Sequence, residues 1–200
     1  MFIGDGGDDV EISQDERDRI MKTYIALFRG INVGGNNILP MKELVAVLDE
    51  MGLHNIKTYI QSGNAIFQSA EKNTASLALN ISRAIKQSYG FEPKVLLIDG
   101  AALKQAILAN PYPEAESEPN TLHLNFLASV PASPDWNALE NLKSATERFK
   151  LIGDVLYLHA PDRMGKSKLY ASLEKKLGVA MTTRNWRTVS KLMEMVRECN

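Results

Sequence analysis

Cysteine is almost missing from the 200 residues: the chain has one, Cys199. That excludes an intramolecular disulfide framework and any zinc site built from several thiolates. No apolar run approaches the ~20 residues a membrane-spanning helix needs, and no basic-then-apolar signal peptide is recognisable. Aromatics are sparse at 7%, and neither sign of charge dominates, with 23 basic against 24 acidic side chains. These values exclude collagen-like repeats, low-complexity scaffolds and wholesale disorder. The 44% of hydrophobic residues suffices for one large or two small globular domains. The expected compartment is the cytoplasm, with no membrane partner.

The formal net charge of −1 conceals an uneven distribution. Residues 1–20 carry seven acids and two bases, whereas residues 150–200 carry ten bases and five acids. The acidic leader, with Gly4-Asp5-Gly6-Gly7-Asp8-Asp9 and few apolar anchors, is expected to be disordered. The folded unit is expected to begin at Met21.

From there one pattern runs twice. Thr23 to Phe28 is strand-like and ends in a glycine-rich loop. Leu44, Val47, Leu48 and Met51 recur at helical spacing up to Gly52. Ile56 to Ile60 and Ala65 to Gln68 flank the turn Gln61-Ser62-Gly63-Asn64. Leu77, Ile81 and Ile85 mark a second helix, Lys94 to Ile98 a fourth strand, and Asp99 caps an added helix. After a Pro- and Glu-rich linker the order recurs. Thr121 to Ala128 is a strand, Trp136 to Leu142 a helix, and Gly153-Asp154 a hairpin turn. Leu169 to Leu177 is a helix, Val179 to Thr182 a short strand, and Val189 to Val196 the last helix. The fold class is α+β: two tandem ferredoxin-like (β-α-β-β-α-β) domains, each with an added helix. The expected domains are residues 21–112 and 121–200, joined by a linker at 113–120.

Four segments also carry a resemblance: Arg29 to Gly35, Thr58 to Asn64, Ser167-Lys168-Leu169 and Thr183 to Thr188. The sequence from residue 21 to 200 resembles the domain-of-unknown-function 1697 family (DUF1697). The resemblance implies two ferredoxin-like domains in a bacterial cytosolic protein. It implies no activity, cofactor or catalytic residue.

Three segments hold candidate ligand groups. In the first, backbone N–H groups of the loop after Arg29 would face an anion, with Arg29, Asn32, Gly34, Gly35 and Asn37 contributing. Gly30, Gly34 and Gly35 do not form the dinucleotide fingerprint, and the alternative is that they only permit a tight turn. Ser62 and Asn64 belong to the neighbouring hairpin. In the second, Gly165-Lys166-Ser167 matches the end of a P-loop, but Ala160 stands where its first glycine belongs. Lys166, Ser167 and Lys168 then form a mild anion site at a capped helix, or simply a solvated helix start. In the third, Arg184, Asn185 and Arg187 surround Trp186, which helical register makes a core or interdomain anchor. Interdomain salt bridges are the alternative for these arginines.

Catalytic groups are harder to find. His123 and His159 fall on strands and, by alternation, share a face with Asn125, Val155 and Tyr157. No third ligand accompanies them, so neither a metal site nor a cofactor is expected. Cys199 has no adjacent base. With no catalytic constellation identifiable, the chain reads as a binding protein more than an enzyme.

The expected function is binding of a phosphate-bearing small molecule or nucleic acid at a basic interdomain cleft. Tyr59, Phe67 and Tyr157 would be the stacking aromatics if the ligand is single-stranded RNA. The alternatives are a small-molecule enzyme with its site between the domains, and a structural or regulatory protein without a ligand. The Arg29–Asn37 loop and the Arg184/Arg187 face should then border one cleft. A chain starting at Met21 should melt within error of the full-length protein. A fall of several degrees would show that the leader packs on the body.

Overall fold

The first strand, β1 (Lys22–Arg29), is buried continuously from Thr23 through Phe28, so both faces of its sheet are covered. The computed structural model describes residues 21–61 and 63–199. The leader at residues 1–20 and the candidate Ser62 lie outside the described residues. After β1 come α1 (Met41–Glu50), β2 (His54–Tyr59), β3 (Asn64–Ser69), α2 (Thr74–Tyr89), β4 (Lys94–Asp99) and α3 (Gly100–Leu108). The order recurs as β5 (Leu122–Leu127), α4 (Trp136–Leu142), β6 (Arg148–Ile152), β7 (Val155–His159), α5 (Lys168–Leu177), β8 (Met181–Asn185) and α6 (Trp186–Arg197). The strands form two four-stranded antiparallel sheets, β2-β3-β1-β4 and β6-β7-β5-β8. The class is therefore α+β, with six α-helices among the described residues.

Local chemistry explains the boundaries. Asn73, Asp99, Asp135 and Ser167 each accept a backbone N–H of the helix they open. Gly90 and Gly178 end α2 and α5 in the left-handed conformation.

Alternation distributes the side chains over three cores. Tyr24, Ala26 and Phe28 pack beneath α1 and α2 with Leu44, Leu48 and Ile81. Leu156 and Leu158 pack beneath α4 and α5 with Leu139, Leu169 and Leu173. The opposite faces of the two sheets share a central core. Ile25, Leu27 and Ile66 supply it from the first half, Leu122, Leu124 and Phe126 from the second. Leu103 of α3 and Trp186, Val189 and Leu192 of α6 complete it. The added helices thus fill the space between the sheets. The connection at 113–120 joins in, because Ala115 of its 3-10 turn is buried there beside Tyr112, which precedes that turn.

Three expectations change. Strand β8 lies further along the chain than Val179–Thr182, because Phe126 pairs with Thr182 and Leu124 with Arg184. Arg184 is therefore a strand residue. Phe67 and Tyr157 are fully buried and Tyr59 is partly buried against the central core, so these three do not form an open platform for base stacking. His123 and His159 also lie on opposite faces. Leu122 faces His159 and His123 faces Leu158 across β5 and β7, which sets His159 beside Leu124 and Tyr157. With both faces buried, apolar alternation does not distinguish the two registers.

His123 is 5% exposed, and no hydrogen bond of good geometry reaches either ring nitrogen. Burial pushes its pKa down to about 4, against a weaker upward pull from the Asn120 backbone. His159, beside the Arg148 guanidinium, is also lowered, first by burial and then by that charge.

Two measurements follow from this packing. Trp186→Ala should cost ~3–5 kcal/mol in denaturant unfolding, because the indole is buried in the central core that α6 shares with both sheets. Both halves should still unfold in one transition, since they share the central core. Separate transitions would contradict that core. A histidine whose folded pKa is depressed contributes stability that is complete above its unfolded pKa, ~6.5, and is lost as pH falls through the folded value. His123→Leu should therefore flatten the fall in melting temperature between pH 6.5 and 4. An unchanged slope would place the acid sensitivity elsewhere.

Candidate functional site

Strand β1 delivers Arg29 to the edge of the first half, where its guanidinium meets helix α5 of the second. Nη1 donates to Glu174 Oε1 at 2.8 Å and to the Met181 carbonyl at 3.0 Å, while Nη2 lies 2.7 Å from Glu174 Oε2. This hydrogen bond holds Glu174 below its usual range and raises Arg29. Both side chains are only half-buried, so water screens the pair and limits its contribution to stability.

Arg184 crosses the same boundary in the other direction. From β8 its Nε donates to Asn64 Oδ1, Nη1 to its neighbour's Thr183 carbonyl, and Nη2 to the carbonyls of Phe28 and Gly63 at 2.8 and 2.9 Å. No carboxylate pairs with it among the described residues. Burial of the charge pushes its pKa down to about 10.

The acceptors for Arg184 are held by local structure. Asn64 is fully buried, and its Nδ2 donates to the Tyr59 carbonyl. Gly63 has φ +86°, and a Cβ there would lie 2.6 Å from Ile31 Cδ1 and 2.7 Å from Phe28 Cβ. Only glycine brings its carbonyl to both the Phe28 N–H and Arg184.

A cleft of about 360 Å3 opens beside these groups, between the halves. Arg29, Gly30 and Val33 line one side, and Tyr170, Glu174, Thr183 and Arg184 the other. Tyr170 and Glu174 are four apart on α5 and so share a face. Tyr170 donates to Thr183 Oγ1 at 3.3 Å, Thr183 donates to Asn125 Oδ1 at 2.7 Å, and Asn125 Nδ2 donates to the Leu156 carbonyl at 2.8 Å.

The candidates from sequence therefore separate. Arg29 and Arg184 border one cleft, and Asn64 lies behind Arg184 as its acceptor. Asn32 and Asn37 serve the loop itself. Asn32 bonds the Leu39 amide and carbonyl and the Gln61 carbonyl, and Asn37 donates to the Gly30 carbonyl. Gly34 and Gly35 have φ +59° and +79° in the turn closed by Asn36 N–H to the Val33 carbonyl. Neither lines the cleft. Lys166, Ser167 and Lys168 line a different cleft of about 490 Å3, where Asp162 and the buried Glu147 oppose their charge. Ser167 caps α5 through the Tyr170 N–H. Asn185 caps α6 and reaches Asn120. Arg187 is exposed on the first turn of α6 and lines none of these clefts. Sequence reasoning missed Tyr170, Glu174 and Thr183. The four-residue spacing of Tyr170 and Glu174 was the available signal, but a single exposed face of a helix carries no mark of what it meets.

Among the described residues, no group of three or more His, Cys, Asp or Glu side chains is placed to hold a metal. No helix among them is long and apolar enough to cross a membrane. A conserved bacterial protein from Streptococcus pneumoniae, SP0830, has a similar structure. Its TM-score is 0.62 at 25% sequence identity, covering 88% of this chain and 99% of that one. No curated protein matches the chain. Three of the four segments that carried the resemblance, around Arg29, Asn64 and Arg184, meet at the cleft between the halves. Residues 21–157 match the protein family of unknown function DUF1697, and the chain belongs to that family.

Proposed function

We propose that the chain binds a small phosphate-bearing ligand in the cleft between its halves. One observation carries this: Arg184 is a desolvated guanidinium that lines a cleft and has only neutral oxygens for partners. A cation withdrawn from water without a counter-charge favours an anion brought to it. Of its five N–H donors, four are engaged, which leaves one on Nη1. Arg29 retains its Nε donor and one on Nη2. The two arginines against Glu174 leave the cleft one positive charge in excess.

The same observations favour a small ligand over nucleic acid. The lysines of the second candidate segment line another cleft, and the sheet aromatics Phe67 and Tyr157 are buried. No acid–base pair around the cleft supports an enzymatic reading.

We further propose that each half is a ferredoxin-like domain, a reading supported by the repeated β-α-β-β-α-β order and the matching strand orders. The lone cysteine and the lack of a membrane-crossing helix among the described residues support a cytoplasmic location.

Calorimetric titration with a panel of phosphomonoesters tests the ligand. Val33 and Ala171 line the cleft and are exposed, so Val33→Glu or Ala171→Glu should add repulsion without disturbing a core. At an effective dielectric near 20, that charge should weaken binding about tenfold or more. Arg187→Gln should leave affinity within about twofold, as expected for an exposed charge remote from the ligand. The proposal fails if no phosphomonoester binds, or if the two glutamate variants bind as the wild type does.

A further inference from the structure

The proton order of the hydrogen bonds beneath the cleft is determined, and it extends the ligand reading above, on which it rests. The Leu156 carbonyl can only accept, so the Asn125 amide must turn its Nδ2 toward it and its Oδ1 toward Thr183. Asn125 is fully buried, which leaves it no solvent alternative. Asn125 Oδ1 can only accept, so the one hydroxyl proton of Thr183 is committed to it. Thr183 Oγ1 can then only accept from Tyr170, so the proton in this 3.3 Å contact is the phenolic one. With its proton so placed, Tyr170 presents oxygen lone pairs to the cleft that it lines.

We infer that Tyr170 sets the specificity of the cleft, selecting a phosphate ester that carries its own hydrogen-bond donor, as a phosphorylated polyol does. The cleft then has two poles. Arg29 and Arg184 offer donors to the phosphate oxygens, and Tyr170 Oη accepts from a hydroxyl or N–H on the remainder of the ligand. A ligand presenting only an ether or carbonyl oxygen to Tyr170 would oppose lone pair to lone pair, and desolvating that contact would cost affinity.

Two probes differing in one group test this: 3-hydroxypropyl phosphate, which can donate, and 3-methoxypropyl phosphate, which can only accept. Titrated against the full-length wild type, the hydroxyl compound should bind about tenfold more tightly, the effect of one well-placed hydrogen bond. Tyr170→Phe should bring the two within about twofold of each other. Thr183→Val frees the phenolic proton, so the methoxy compound should gain affinity although its bulk is unchanged, which separates polarity from steric fit. If Thr183→Val fails to fold, Tyr170→Phe still decides the matter. Equal wild-type binding of the two probes would overturn the inference and leave the anion site standing. If neither probe binds, nor any other phosphomonoester, the anion site itself falls and the inference with it.

Discussion

Arg184 carries a charge out of the second half and settles it on the backbone oxygens of the first. Withdrawing a guanidinium from water costs several kcal/mol, and the cost is offset only when the hydrogen bonds are well placed. The Phe28 and Gly63 carbonyls and the Asn64 amide meet that condition together, because β1 and the β2–β3 hairpin hold them in one arc. A bond to a charged donor contributes roughly 1.5–3 kcal/mol, so losing one acceptor would be felt across the boundary between the halves. The hairpin is correspondingly constrained. Ile60, a β-branched residue, sits at φ +51°, and Asn32 holds the adjoining Gln61 carbonyl. Strain at the turn fits a hairpin whose task is to present Gly63 and Asn64 to the arginine.

The shared central core decides which surfaces remain for ligands. In an isolated four-stranded sheet with helices on one side, the opposite face is open to solvent. Here that face of each sheet is closed by α3, α6 and the other sheet, so binding is displaced to the clefts at the edges. The two edges are built alike. Along β4 runs a cleft of about 820 Å3 bounded by α2 and the end of β5; along β8 runs the smaller one, bounded by α5 and the end of β1. Ala128 follows β5 where Arg29 ends β1, and Ile98 and Leu79 line the larger cleft where Arg184 and Glu174 line the smaller. Two arginines reach into the smaller gap, whereas the larger has none. The same architecture thus yields two clefts, and a pair of guanidiniums lines only the smaller.

How far this was legible in the sequence depended on how local the determining physics was. The element order followed from apolar spacing, caps and glycine stops, which act within a few residues. The position of β8 did not, because pairing of Thr182 and Thr183 with β5 overrode the apolar signal at Val179 and Ala180. Registers were illegible where both faces are buried, which is why the His123 and His159 faces were misassigned. Arg29 and Arg184 stood out as charges beside glycine and asparagine, yet their partners, the Gly63 carbonyl and Glu174, lie more than a hundred residues away. The asparagines misled for a physical reason. A side-chain amide suits a ligand and a left-handed loop equally, and in Asn32 and Asn37 the loop takes it.

The cleft therefore has two kinds of rigidity, with different consequences for recognition. Arg184 is fixed by four bonds and offers one remaining donor in a set direction, so it orients an anion more than it adapts to one. Arg29 is held through a half-exposed carboxylate, and that pair can yield when a second anion competes for the guanidinium. Tyr170 stands between these extremes, with its ring on a capped helix and its hydroxyl donating to Thr183, which donates in turn to the buried Asn125 amide. On the proposed reading, an anion arriving here would gain from the fixed charge, exchange with the weak pair, and be sorted by the tyrosine oxygen. The Arg184 and Arg29 contacts span the boundary between the halves, so a ligand held by them would couple occupancy of the cleft to the seating of one half on the other by mass action.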